Sequence, residues 1–410
     1  MNRDGSQSPE RINVNVVVTI FIALVIDGLC MQMISLALPV LMTDFQISKV
    51  QTGSIGSYLL IGMGIGGIFA GWLADRLGRV KVVSYSLLLF LFMNLLTVFA
   101  QNFLQFAVLS GLTGFGIAAV FSIGTLMVAE YVPTHQRTTI LGTLQAGWSV
   151  GYIIAAIASS IILPSWGWRP MFLVPLLPTL SVLWLLKGMK DPPSFSAAQK
   201  AAGGQSGSPW SQLLGNPQTK KIFIIWSFTL MALQFGYYGV TAWLPSYLVK
   251  DLGVNLKDMG LYVAGTYTAM IFGKILTGWL ADRFGRRVIW VGAGAATAVV
   301  LPMIMKYVTV SSGPYLLPIF GFFYAAPFAI FSTYLSESFP TPVRGTAVSS
   351  ANALGRVGSV FSPVLIGYVA EQYSIAYGIG FLGIAYALAA LLPGLFIREK
   401  LYDPKSTLAQ

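Results

Sequence analysis

Twelve long apolar runs decide what this chain can become. They cover about residues 14–40, 51–74, 80–100, 104–130, 138–163 and 167–187, then 221–249, 258–281, 287–308, 313–337, 343–370 and 374–397. A helix needs about 20 mostly apolar residues to cross the hydrocarbon core of a bilayer. Spanning barrel strands would instead alternate apolar and polar residues over about ten positions, and these runs are longer and unbroken. Composition agrees. Hydrophobic residues make up 55% of the 410 and charged residues only 10%, against roughly 25% charged in a soluble domain. The expected fold class is an all-α membrane protein with twelve transmembrane helices.

The runs divide six and six around a stretch rich in Pro, Gly, Ser and Ala, which reads as a flexible linker. The expected organisation is a first six-helix half over 1–190, a linker over 191–220 and a second half over 221–410. The first run is full length and has no small-residue cleavage site after it, so it reads as a retained helix rather than a signal peptide. The net charge of +11 would suit nucleic acid, but its placement argues otherwise. With the N-terminus assigned to the cytoplasm, 18 of the 25 Lys and Arg fall in inward-facing segments, five fall outside and two, Lys274 and Arg356, lie within runs. That asymmetry is the positive-inside rule; it predicts cytoplasmic termini and no nucleic-acid partner. One cysteine, Cys30, excludes an internal disulfide and a cysteine-built zinc site. No Gly-rich loop ends in Lys-Ser or Lys-Thr, so nothing suggests an ATP motor. No cofactor or metal is expected.

The chain also repeats itself. "GWLADRLGR" begins at Gly71 and "GWLADRFGR" at Gly278, 207 residues later. The same offset carries Glu130 to Glu337, Arg137 to Arg344, Gly114 to Gly321 and Gly151 to Gly358. One register held across several runs marks a duplicated six-helix unit. Six is even, so both copies share one orientation. Parallel halves of this kind describe a transporter that rocks about a substrate site near mid-membrane.

These motifs resemble those of the major facilitator superfamily, between helices two and three and between helices eight and nine. Together with "EYVPTHQR" and "ESFPTPVR" the resemblance covers nearly the whole chain. "IDGLCMQMISLALP" and "NALGRVGSVFSP" further resemble the aromatic acid:proton symporters, bacterial importers of benzoate-type and muconate-type carboxylates. Two positions depart from that pattern. Cys30 stands where the group usually has a second acid, and Ser110 where many members have an Arg. The resemblance implies an inner lock of Asp75, Arg79, Glu130 and Arg137, with Asp282, Arg286, Glu337 and Arg344 as its counterpart. The alternative is that these residues only set turns and topology.

Charges inside the runs cost at least about 2.5–3.5 kcal/mol at mid-bilayer, so each is a functional candidate. Asp27 is the one carboxylate at depth. Low dielectric disfavours the ionised carboxylate, the property a proton carrier exploits; the alternative is a structural Asp bonded to a neighbouring helix. The position 207 residues on is Gln234. Arg356 cannot shed its charge and needs an anion, either Asp27 or a substrate carboxylate held by its fork of donors. Lys274 lies eight residues before Asp282, about 12 Å from the helix end, where its stem can snorkel. A structural or gating role is favoured for it over a substrate role. Gln234, Tyr237 and Tyr238, with Thr241, share one side of the seventh run; Gln145, Trp148, Ser149 and Tyr152 do so in the fifth. Asn352 precedes Arg356 by one turn, and Tyr324 and Phe328 mark one side of the tenth run. Aromatic walls with a few polar anchors suit a planar or unsaturated acid, although aromatics at helical spacing usually pack.

The expectation is therefore a proton-coupled importer of a small organic acid, acting by alternating access as a monomer in a bacterial inner membrane. Its candidate proton site is Asp27. Its candidate substrate residues are Arg356, Gln234, Tyr237, Tyr238, Trp148, Asn352 and Tyr324. A drug or metabolite exporter on the same fold is the rival; "QAGWSVGYIIAA" lacks the Gly-Pro pair usual in proton-driven exporters of the superfamily. An enzyme would need a second acid, base or metal ligand at depth, and the runs supply none.

Overall fold

A computed structural model describes residues 14–131, 137–189 and 209–397. Among them the regular structure is entirely helical, and twelve spans are long and apolar enough to cross a membrane. In chain order the helices are α1 (Val14–Asp44), α2 (Lys49–Leu77), α3 (Arg79–Thr97), α4 (Phe103–Tyr131), α5 (Arg137–Trp166), α6 (Leu176–Leu186) and α7 (Pro209–Gly215). There follow α8 (Pro217–Lys250), α9 (Leu256–Phe284), α10 (Arg286–Tyr307), α11 (Gly313–Tyr324), α12 (Phe331–Glu337), α13 (Thr341–Gln372) and α14 (Ile375–Phe396).

Local chemistry sets several boundaries. Gly78 and Gly285 have φ of 95° and 99°, a backbone region that glycine enters without steric cost. They make the sharp turns α2–α3 and α9–α10 inside the repeated motif. The seventh run begins earlier than its hydropathy suggests. The Asn216 side chain accepts from the Gln218 and Thr219 backbone N–H groups, and Pro217 occupies the first helical position, where its missing N–H costs nothing. Residues 209–215 and 217–220, read from sequence as linker, are therefore helical.

The tenth run, one continuous helix by hydropathy, is broken. α11 ends at Tyr324, a 3₁₀ turn covers Ala326–Ala329, and α12 resumes at Phe331. Pro327 has no N–H for the carbonyl four residues earlier, that of Phe323. The Thr297 hydroxyl donates to that oxygen at 2.9 Å. The neighbouring Tyr324 carbonyl accepts from the Tyr386 hydroxyl at 2.8 Å. A broken helix at membrane depth survives only where neighbouring side chains satisfy the freed groups, and two neighbours do so here.

The chain clusters into two compact units, one of Met1–Ile34 with Tyr58–Gln205 and one of Ser35–Ser57 with Ser206–Gln410. In the first, a Cβ on Gly66 would strike the Phe115 backbone and one on Gly114 the Leu59 carbonyl. In the second, Gly273 meets Phe322 and Gly321 meets Thr266 in the same way. Each second pair is the first shifted by 207, so the duplication read in the letters recurs as duplicated helix seams. Small residues let helix backbones touch where lipid supplies no hydrophobic drive for packing.

The second unit also carries a reciprocal cap between the start of α2 and the end of α13. Lys49 Nζ donates to the Ala370 carbonyl at 2.7 Å. Glu371 Oε1 accepts the Val50 backbone N–H at 3.1 Å. A cation thus meets the carbonyl end of one helix and a carboxylate the amide end of another, both favourable to the helix dipoles. Gly53 and Gly367 bring the two backbones together beside it, against the Pro363 and Lys49 carbonyls.

Candidate functional site

In the first unit the site begins at Asp27, which is 1% exposed on α1. The helix is pinned against α5 on both sides of this residue. Gly28 abuts the Trp148 carbonyl, and Gly151 abuts the Val25 carbonyl and Leu29 amide. No side chain larger than hydrogen fits at either glycine, so the depth and facing of Asp27 follow from the seam. Trp148, whose backbone touches that seam, lies 5.7 Å from Tyr152 and 6.2 Å from Phe121, ring centre to ring centre. Its indole Nε1 is buried without a hydrogen-bond acceptor among the described residues. Cys30 is buried one turn beyond Asp27, and Ser110 is 1% exposed on α4.

In the second unit the sequence candidates gather around α8. Gln234, 6% exposed, donates from Nε2 to Asn352 Oδ1 at 3.1 Å. Arg356 follows Asn352 by one turn of α13. Leu354, Val357, Phe361, Leu365 and Tyr368 form the exposed strip of that helix; Gly355 and Gly358 abut α8. Arg356 belongs to neither face and is partly buried. Its guanidinium makes no hydrogen bond or ion pair with a described residue. Tyr237 stacks on Tyr324 at 5.3 Å and 10°, meets Phe328 at 4.5 Å and Tyr238 edge-on at 5.3 Å. Its hydroxyl reaches Met270 Sδ at 3.9 Å. The aromatic wall therefore sits at the break between α11 and α12, and the break aims Tyr324 and Phe328 at α8.

Among the described lock residues, Arg286 contacts both Asp282 and Glu337. Arg286 Nη2 lies 3.3 Å from Asp282 Oδ1, and Arg286 Nε lies 3.2 Å from Glu337 Oε2. Asp282 is 76% exposed and Glu337 15%, so the Glu337 contact carries most of the electrostatic weight; exposed pairs contribute little. Arg344 donates from Nε to the Phe339 carbonyl at 3.1 Å. Arg79 is buried at the start of α3. The side chains of Asp75, Glu130 and Arg137 lie outside the described residues.

Sequence reasoning missed Thr297 and Tyr386, which hold the break, and the pair Lys49 and Glu371. Pro327 was the one legible signal for the first two. No motif marks the others.

The family model described as Major Facilitator Superfamily matches residues 20–355 and 248–409. The chain belongs to the Major Facilitator Superfamily. Among curated relatives, the cis,cis-muconate transport protein of Acinetobacter baylyi is 41% identical over 391 residues, covering 94% of this chain and 95% of that protein. The benzoate transport protein of the same organism is 25% identical, covering 95% and 91%. These similarities fit the aromatic acid:proton symporter type within the superfamily. Among solved structures, a D-xylose–proton symporter superposes with a TM-score of 0.77 at 19% identity, covering 95% of this chain and 99% of that one; this likeness bears on the fold. The superfamily member described here is a multi-pass membrane transporter and not an enzyme.

Proposed function

We propose that the protein imports a small organic acid, an aromatic or muconate-like carboxylate, together with protons. The observation that carries this reading is Arg356. A guanidinium held at depth without a protein anion among the described residues is an expensive arrangement unless an anion arrives, and a carboxylate matches its donor fork. The named cargoes of the relatives, muconate and benzoate, are acids of the class that such a group would hold.

Asp27 is the proton site in this account. It is buried on α1 next to Gly28 of the α1–α5 seam and is the one carboxylate at that depth among the described residues. Proton binding at Asp27 and carboxylate binding at Arg356 precede a switch in access, with Gln234, Asn352, Tyr237, Tyr238 and Tyr324 contacting the acid. The Arg286–Glu337–Asp282 cluster, with Arg344 and the first-half set Asp75, Arg79, Glu130 and Arg137, locks one access state. The protein works as a monomer in a bacterial inner membrane with both termini in the cytoplasm.

The test is uptake by proteoliposomes under an inward proton gradient, with internal pH recorded, against benzoate, muconate and a neutral sugar. Acid uptake accompanied by internal acidification is the expected result. Net efflux under the same gradient would favour the exporter reading. Variants Arg356→Lys and Arg356→Ala should both lose affinity for the acid; wild-type affinity in both would remove Arg356 from the site.

A further inference from the structure

A second cation lies in the same unit as Arg356. Phe272, Ile275, Leu276 and Trp279 form the exposed strip of α9. At about 100° per residue, Lys274 lies on the opposite side of the helix, with Met270 and Ala281, which are 1% and 3% exposed. Lys274 itself is partly buried and makes no hydrogen bond or ion pair with a described residue. A gating partnership has an obvious candidate in Asp282, two turns further on. That carboxylate pairs with Arg286 instead.

The two cations approach the same short stretch of α8. Gln234 on α8 bonds Asn352, one turn before Arg356 on α13. Tyr237, one turn beyond Gln234, touches Met270, one turn before Lys274 on α9. The aromatic wall of Tyr237, Tyr324 and Phe328 adjoins that stretch.

The duplicated scaffold shows that neither charge is needed for packing. One repeat earlier, the positions of Lys274 and Arg356 are held by Gly67 and Ser149. A Cβ added at Gly67 would meet nothing within 4 Å, so the corresponding site in the first unit is open space. The first unit builds its seams without a cation at either place. The second unit holds two, neither paired with a described carboxylate, and both carry the cost of a charge at depth.

We propose that Lys274 is a second carboxylate anchor, and that Lys274 with Arg356 makes the transporter selective for dicarboxylates over monocarboxylates. The proposal rests on the organic-acid reading above and narrows its substrate class. Arg356 supplies a planar fork and Lys274 a compact point charge. An unsaturated chain bearing a carboxylate at each end would neutralise both while its flat middle lies against the aromatic wall.

The experiment measures binding to purified protein by calorimetry with a matched pair. One ligand is muconate; the other is 2,4-hexadienoate, the same chain with a methyl group in place of one carboxylate. Wild type should bind muconate at least about tenfold more tightly, the change a single carboxylate contact of about 1.4 kcal/mol produces. Lys274→Met should erase that preference by weakening muconate binding at least about tenfold while weakening 2,4-hexadienoate binding much less, and Lys274→Arg should restore most of it. Melting temperatures identify any variant that fails to fold, and Lys274→Gln provides a second neutral replacement. Equal loss for both ligands in the neutral variants, or an undiminished preference for muconate, overturns the role of Lys274 and leaves the organic-acid reading standing. Wild-type protein that binds neither acid overturns both.

Discussion

Replacing Thr297 with Val should expose how the break in the tenth span is held. The side chains have nearly the same shape, so the change removes a hydroxyl and little else. The Phe323 carbonyl then loses its 2.9 Å donor, and Pro327 cannot replace it. The same hydroxyl also lies 2.8 Å from the Ala293 carbonyl, so its single hydrogen is shared and the loss is less than a full bond. The Phe323 carbonyl keeps the Ala325 backbone N–H, so the loss falls toward the low end of the about 1–3 kcal/mol that a fully orphaned buried acceptor costs, where measured side-chain bonds between membrane helices also lie. We expect about 1 kcal/mol, roughly fivefold in the unfolding equilibrium constant. The sharper test is a double-mutant cycle. Pro327→Ala supplies a backbone N–H for the same carbonyl, so Thr297→Val in that background should cost less than about half as much. Reversible unfolding of purified protein in mixed micelles gives all four corners. Contacting pairs show coupling and independent sites add. Equal costs in both backgrounds would refute the assignment of Thr297 as the stand-in for the missing amide. Pro327→Ala alone should also slow transport, because a continuous helix would re-aim Tyr324 and Phe328.

Other consequences are simpler. Gly151→Leu should abolish folded protein, since the new side chain would enter the α1 backbone at Val25 and Leu29 and overpacking of a close seam costs typically 1–3 kcal/mol or more. Fluorescence-detected size exclusion checks this, and a monodisperse variant would contradict the seam. The paired change Lys49→Met with Glu371→Gln removes the reciprocal cap. These groups are solvent-accessible, so about 1 kcal/mol is expected. If transport requires those helix ends to part, the variant should lower the acid concentration giving half-maximal uptake by up to about fivefold; a higher half-saturation value would count against the cap as a restraint.

Much of this molecule was legible before any coordinates. Lipid forces each span to be a long apolar run, so the number of spans is written in hydropathy. Duplication is legible because Gly66 and Gly273, or Gly114 and Gly321, serve the same seam and tolerate no other side chain. The start of α8 was not legible in hydropathy, because Asn216 and Pro217 fix it through capping. The break in the tenth span was signalled by Pro327 alone. A proline in a membrane helix signals a break only if neighbours such as Thr297 and Tyr386 are present, and they come from distant spans. Hydrogen bonds to backbone carbonyls, including Lys49 to Ala370, leave no signature at the accepting residue. The isolation of Lys274 from Asp282 also required the three-dimensional pairing of Asp282 with Arg286.

The most direct test of the account compares two activities of Asp27→Asn in proteoliposomes. One is accumulation of labelled acid under an inward proton gradient, and the other is exchange of external for internal acid with no gradient. Accumulation should be lost while exchange persists, because the amide keeps the shape of the protonated side chain but cannot release a proton. Gradient-driven accumulation at the wild-type level would contradict it.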